Sequence, residues 1–502
     1  MSDPIYDLAV IGGGINGCGI ARDAAGRGLK VLLVEQDDLA SATSSWSSKL
    51  IHGGLRYLEQ YEFRLVREAL QEREVLLRIA PHIIHPMEFI LPHDKYMRPA
   101  WMVRIGLFMY DNIGGKISLP GSRTVMFPDA KYSAGLKPAI RRGFFYSDAQ
   151  VDDARLTILN AVSAREHGAD VRVRTRLVAG RREADAWQLT IRDVDRNTDQ
   201  LVRARGVVNA AGPWVKDLLD HALQVKIQAS VRLVKGSHIV VPRIHGHDHA
   251  YILQNADKRV VFVIPFEENF SLIGTTDVTV ERVTNAANIT AEETTYLVNA
   301  ANRFLATPLR ESDVVWSYAG VRPLYDDGSA NPSEITRDYV LKVDEAGGKL
   351  PLLSIFGGKI TTYRRLAEHA LKELQPYYPA MTAAWTDTEA LPGGDIASCE
   401  AEVADLMKSH PSLPIDYLRR LASRYGARTG KVLDGVRSMS DLGEILGRGA
   451  TMLTEREIEY CIKHEWAIQP DDILWRRTKC GLHMDAAERE RASAFIRTKA
   501  KV

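Results

Sequence analysis

The chain has 502 residues, of which 45% are hydrophobic, and 65 Lys and Arg nearly balance 64 Asp and Glu for a net charge of +1. Single cores stop growing at about 250–300 residues, so this length calls for two or three domains. The balanced charge supplies no field to recruit nucleic acid, which excludes a polybasic nucleic-acid protein.

In chain order, the first predicted element is an apolar strand over 8–11. It runs into Gly12, Gly14 and Gly17, which open a helix through 20–25. This is a G-x-G-x-x-G dinucleotide turn. Its first glycine permits the tight turn, the second lets backbone approach a pyrophosphate, and the third lets helix and strand pack closely. The pyrophosphate then meets a helix N-terminus, where amides and macrodipole favour negative charge. A second strand over 30–34 ends in Glu35, an acid about 20 residues past the first glycine and suited to an adenosine ribose.

Residues 43–58 mix short hydroxyl side chains and glycines with Lys49, His52 and Arg56. Such backbone can wrap a phosphate or a flat ring; the alternative is a Ser-rich surface linker. A periodic helix follows over 62–79, with Phe63, Val66, Leu70, Leu76 and Leu77 roughly on one side. Residues 98–110 are apolar but too short to span a bilayer, and basic and aromatic residues flank them. They read equally as an interfacial helix or a buried one.

Residues 206–212 form a strand feeding a helix at Trp214. The texture from about 216 to 350 is strand-rich, with examples at 231–234, 238–241, 260–264 and 271–273. The α/β texture then returns, where a strand over 352–356 feeds Gly357, Gly358 and Lys359 at the start of a helix. That turn either sets a helix N-terminus against a ligand or simply joins strand to helix. With a flavin as ligand, Lys359 can offset charge on the reduced ring. Residues 391–394 end this body, and charged amphipathic helices such as 415–425 and 455–466 follow. The nucleotide domain is therefore expected to be discontinuous, with a β-rich domain inserted in it.

Cys18, Cys399, Cys461 and Cys480 are few and scattered, as in a reduced cytoplasm. Residues 1–4 lead into the first strand without a secretory or transit pattern. The expectation is a cytoplasmic protein or one bound to a membrane from the cytoplasmic side. Cys461 with His464 and Cys480 with His483 form paired C-x-x-H spacings. Zinc is conceivable there, but the second pair sits at a Gly-containing helix end and no metal is expected.

The blocks 11–28, 43–59 and 357–367 resemble the FAD-dependent glycerol-3-phosphate dehydrogenases, most closely the bacterial aerobic, quinone-reducing ones. Residues 235–238, 274–277, 320–324, 335–338 and 471–477 match as well, so the resemblance covers essentially the whole chain. It implies an α/β fold: a glutathione-reductase-like FAD-binding domain, an inserted antiparallel β-sheet substrate domain, and an all-α C-terminal domain. The corresponding boundaries are 1–90, 150–215 and 350–390 for FAD, 91–149 and 216–349 for substrate, and 391–502 for the helices.

FAD rather than NAD follows from the resemblance. Gly12, Gly14, Gly17 and Glu35 would hold its ADP half. Thr43, Ser44, Ser45, Ser47, Ser48 and Lys49 would line the pyrophosphate and flavin. Gly212 with Pro213, and Gly357 with Gly358, would close over the cofactor, and the Val178 main chain would meet the adenine.

The implied substrate, sn-glycerol 3-phosphate, carries a phosphate of about −1.5 to −2 charge. Holding it out of water requires fixed cations, and Arg56, Arg322, Arg337 and Lys359 are the candidates. His52 is the first choice for the base that takes the C2 hydroxyl proton, since an imidazole titrates near operating pH. The family also offers Arg322 in that role. His238 is a secondary, substrate-side candidate, as is Asp277. The implied acceptor is a membrane quinone, specifically ubiquinone, reached by peripheral binding to the cytoplasmic face of a membrane. A homodimer stays open. The alternatives are a glycerophosphate oxidase using oxygen, an FAD amine oxidase of the same fold, and a flavin-binding regulatory protein without turnover.

Overall fold

A computed structural model describes residues 5–94, 97–227, 229–257, 259–286, 288–326, 338–449 and 452–501. Arg337 therefore lies outside the described residues. The chain opens with β1 (Ile5–Ile11), α1 (Ile15–Gly26) and β2 (Val31–Val34). The unbroken apolar runs of β1 and β2 suit strands covered on both faces. They pair in parallel from Leu8 with Val31 to Ile11 with Val34.

On the other side of β1 lies the strand Thr198–Asn209, also parallel, followed by Lys349–Phe356. Asp170–Arg172 flanks β2. Cys18, Ala21, Ala24 and Ala25 of α1 share one core with Ile158 and Val162 of helix Asp153–Glu166 and with Leu366 and Ala370 of helix Tyr363–Leu374. Strands and helices from separate stretches of the chain thus share one sheet and one core.

The second sheet, ten strands among the described residues, is mostly antiparallel. Its long strand Val231–Pro242 pairs with Trp316–Tyr325 on one side and Phe270–Gly274 on the other. Ala250–Gln254 links this half, in parallel, to Ile84–Pro92.

Two boundaries differ from those expected. Leu50–Ile51 and Ile84–Pro92 belong to the second sheet, because both pair with Arg142–Val151. Val340–Ala346 belongs to the nucleotide sheet. Gly347 and Gly348 (φ +57° and +75°) turn it straight back onto Lys349–Phe356, as two consecutive positive φ angles do in a tight hairpin.

The C-terminal part is a helical domain whose helix Ile415–Tyr425 buries Tyr417, Leu418, Leu421, Ala422 and Tyr425 at helical spacing. A short ladder, Ile445–Leu446 with Leu453–Thr454, adds two strands to the all-α expectation. The buried pair Arg155–Glu465 ties this domain to the nucleotide body. Among the described residues no helix is long and apolar enough to cross a membrane.

Candidate active site

The glycine turn has the geometry that a dinucleotide needs. Gly12 sits at φ +117°, and a Cβ there would lie 2.5 Å from the Ala210 carbonyl oxygen. A Cβ on Gly17 would lie 1.9 Å from the Gly12 carbonyl oxygen, so α1 could not approach β1 so closely. Gly14 is different: only Ser44 Oγ comes near, at 3.1 Å, and the rest of its surroundings is open. Ser44 Oγ accepts the Ile15 N–H (2.9 Å) and so orders the first turn of α1.

Glu35 accepts the Gly13 N–H (2.7 Å) and the Asp37 N–H (2.8 Å), and burial pushes its carboxyl up to about 7. Asn16 Nδ2 donates to the Gly357 carbonyl (3.2 Å), which joins the first loop to the Gly357–Gly358 turn, while Asn16 Oδ1 is buried without a partner.

A cleft of about 1110 Å³ runs through these groups. Gly12, Gly14, Glu35, Thr43 and Ser44 line it, with Val178, Gly212, Pro213, Gly357 and Gly358 around them. Backbone cradles, an amide oxygen without a partner among the described residues and a carboxylate lining one end of the cleft fit an FAD. Gly12, Gly14, Glu35, Ser44 and the Gly357–Gly358 turn would hold it.

The loop after Ser44 behaves otherwise. Thr43 Oγ1 donates to the Val321 carbonyl (2.7 Å) and Ser45 Oγ to the Ala42 carbonyl (3.4 Å). Ser47 and Lys49, expected along the pyrophosphate and flavin, turn their side chains to Asp153 instead. Ser47 Oγ lies 2.7 Å and Lys49 Nζ 2.8 Å from its carboxylate oxygens, and Lys49 Nζ also donates to the Ser45 carbonyl (2.9 Å). The cause is burial, since an ammonium excluded from water needs a counter-charge and full hydrogen bonding. No spacing in the sequence points from this loop to Asp153.

Ser48 Oγ meets His238 Nε2 at 2.9 Å. The His238 ring stacks on Tyr318 (4.8 Å between centroids), and its buried Nδ1 has no partner among the described residues. Burial, then Lys49 and Arg322, push His238 down to about 3, so it is neutral at physiological pH.

His52 occupies the next stretch. Its N–H donates to Thr361 Oγ1 (3.3 Å), and its ring stands edge-on to Phe262 at 6.3 Å. Burial first and then Lys359 push it down to about 4, so the imidazole is unprotonated and able to accept a proton. Lys359 Nζ lies 3.9 Å over the Tyr57 ring. Arg56, half-buried on the short helix Leu55–Gln60, makes no hydrogen bond or ion pair with any described residue.

Arg322 is paired with Asp277, so one of the expected phosphate cations already has a counter-ion. Phe262 pairs with Gly274 across the sheet, and Gly274 packs directly on His238. The His52 side and the His238–Arg322 side thus form one continuous strip.

Sequence reasoning also missed Tyr110 and Asp148. The Gly53 N–H donates to Tyr110 Oη (2.8 Å), Tyr110 donates to the buried Asp148 (2.8 Å), and Arg73 holds Asp148 at 2.7 Å. Only the topology brings these residues beneath the His52 loop.

Cys461 and Cys480 are buried, with Sγ atoms 3.5 Å from Tyr425 Oη and Arg424 Nη2 respectively. Among the described residues no group of three metal-ligating side chains is assembled.

The family profile of FAD dependent oxidoreductases matches residues 7–364, and that of the C-terminal domain of alpha-glycerophosphate oxidase matches residues 384–500. The aerobic glycerol-3-phosphate dehydrogenase of Escherichia coli is 52% identical, over 98% of this chain and 97% of that protein. D-erythritol 1-phosphate dehydrogenase of Brucella abortus is 50% identical, over 99% of this chain and 97% of that protein. Among solved structures, the FAD complex of glycerol-3-phosphate dehydrogenase from Bacillus halodurans superposes with a TM-score of 0.73 at 26% identity, covering 100% of this chain and 95% of that one. A full-length match at this identity, on a cleft built for a dinucleotide, settles the family. The chain belongs to the FAD-dependent glycerol-3-phosphate dehydrogenases, with FAD as its cofactor.

Proposed function

We propose that the protein oxidises the C2 hydroxyl of sn-glycerol 3-phosphate to the ketone of dihydroxyacetone phosphate and delivers the electrons to a membrane quinone. FAD, when bound, supplies the acceptor for the hydride leaving C2. The other tasks fall to the chain.

His52 takes the hydroxyl proton on its neutral imidazole. Arg56 and Lys359 bind the phosphate, and Arg322, paired with Asp277, orients the hydroxyls. Arg337 is a fourth candidate cation on sequence grounds. His238, neutral and fixed by Ser48, shapes the substrate side of the pocket. One observation carries this reading: an unprotonated histidine near Lys359, with Arg56, which has no partner among the described residues, four residues along the same segment.

The phosphate also tunes the base. Lys359 lowers the His52 pKa in the free protein. A bound dianion near Lys359 cancels that repulsion and raises the proton affinity of His52 at the moment it is needed.

The membrane reading is supported by helix Ala100–Ile113. It buries Leu107 and Tyr110 but leaves Trp101 and Phe108 each 63% exposed and Ile105 52% exposed. An apolar face of this kind, flanked by Arg98 and Arg104, suits the headgroup boundary of a bilayer and the quinone dissolved in it. Sequence left the helix equally open to a buried place. The exposed face supports the interfacial place, and peripheral binding to a membrane is the reading taken from it.

A second reading, oxidation of D-erythritol 1-phosphate, is favoured by the Brucella relative, whose identity is nearly that of the glycerol-3-phosphate enzymes. Steady-state turnover of purified holoenzyme with both phosphates and a short-chain quinone separates the two. Glycerol 3-phosphate is expected to have the higher kcat/KM; a reversed preference transfers the assignment to the tetritol phosphate. Peroxide formed at the full rate without quinone would make the enzyme an oxidase instead.

A further inference from the structure

The cofactor cleft does not end within the nucleotide sheet. Beyond Glu35 it passes Asp37 and Asp38 and meets Gln469, Ser493 and Arg497 of the helical domain. Ser493 and Arg497 are four apart on helix Ala486–Lys499 and therefore share a face. Arg497 keeps 55% of its side chain exposed, with its nearest carboxylate, Glu490, at 3.8 Å. Its guanidinium is available to a ligand in the cleft.

This wall is fastened to the ribose end of the turn. Buried Asp38, three residues past Glu35, accepts from Arg476 Nε (2.5 Å) and Arg477 Nη2 (2.8 Å). Asp472 accepts the Ile468 and Gln469 amides at 2.9 and 2.8 Å and fixes the backbone carrying Gln469. The same carboxylate pairs with Arg174 (3.1 Å). The next residue, Thr175, donates its N–H to the Glu35 carbonyl (2.7 Å). A network of buried charges with several partners holds one arrangement because losing a single partner leaves a charge stranded.

We infer that the helical domain is a wall of the FAD site, in which Gln469, Ser493 and Arg497 engage the AMP half of the cofactor and the Asp38–Arg476–Arg477 cluster holds them against Glu35. An amide, a hydroxyl and a guanidinium supply donors for a ribose, an adenine edge and phosphate charge. The inference rests on FAD as the cofactor, and it extends the site into a domain that a nucleotide-binding fold does not require for that purpose.

The test is a titration of full-length apoprotein with FAD, read by flavin fluorescence, and with ADP as competitor. Wild type is compared with Arg497→Ala and with the Ser493→Ala/Arg497→Ala double variant. Both substitutions lie at the cleft mouth, away from the buried ion cluster. The expected result is roughly 10-fold weaker FAD binding in the double variant, with ADP weakened by a similar factor. Unchanged affinity for FAD in both variants would overturn the inference, as would a loss for FAD with none for ADP. Wild-type apoprotein that takes up no FAD would overturn the cofactor assignment itself.

Discussion

The two ends of the site are built on different principles. At the nucleotide end, backbone would do the binding: Gly12 and Gly17 allow the close approach of turn, strand and helix, and Gly14 leaves open space before the helix N-terminus. At the proposed substrate end, the candidate side chains come from separate segments: His52 and Arg56 from one loop, Lys359 from another, His238 and Arg322 from neighbouring strands of the second sheet. A backbone site is local in sequence and tolerates little change of shape. A side-chain site is spread over the fold, and each residue can be removed with the rest standing.

The largest effect expected from that difference is on chemistry without loss of cofactor. His52→Ala should lower kcat by about 10²–10⁴ while the protein stays yellow, measured as steady-state turnover per bound flavin. A near-normal rate would remove His52 from the role of proton acceptor.

The nucleotide end should fail in the opposite way. Gly17→Ala puts a methyl into the Gly12 carbonyl and should weaken FAD binding by roughly 10–100-fold, measured by flavin fluorescence. Turnover per bound flavin should change much less.

Arg56→Ala should raise the KM for glycerol 3-phosphate by about 10-fold, through a lost charge-assisted bond, with a smaller change in kcat. Equal falls in kcat and kcat/KM would assign Arg56 to the transition state.

Away from both ends, Trp101→Ser with Phe108→Ser should weaken vesicle binding by about 10-fold, from the apolar surface removed. Unchanged partitioning in a flotation assay would remove this helix from the membrane contact.

The smallest effect is on stability. Burial holds His52 near 4, and His82 and His238 near 3, against an unfolded value of about 6.5. The unfolded chain therefore binds protons first. Stability from these neutral imidazoles is present above about pH 6.5 and is lost as pH falls toward 4 and then 3. The urea midpoint should drop between pH 7 and 5, and a flat midpoint would mean that these rings are not buried as described.

The same contrast separates what the sequence discloses from what only the fold brings together. The nucleotide turn and the helical C-terminus are legible because each is a local pattern: a glycine spacing that joins strand to helix, and an amphipathic period. His52, Arg56 and Lys359 are proposed from the family resemblance together with the chemistry of an imidazole and of fixed cations. The Asp153 anchor of Ser47 and Lys49, the Tyr110–Asp148–Arg73 support beneath Gly53, and the closure of the cleft by Ser493 and Arg497 are not legible. Each joins residues that are distant along the chain and carry no spacing signal. The return of Val340–Ala346 to the first sheet was legible in principle, since Gly347 and Gly348 mark a hairpin, and the boundary near 350 overlooked them.

Rapid mixing of oxygen-free holoenzyme with sn-glycerol 3-phosphate tests the central claim most directly. The oxidised flavin band should bleach at least as fast as steady-state turnover in wild type, and about 10²–10⁴ times more slowly in His52→Ala. A wild-type flavin that remains oxidised with this substrate would contradict the assigned reaction, and equal bleaching in both proteins would contradict the role of His52.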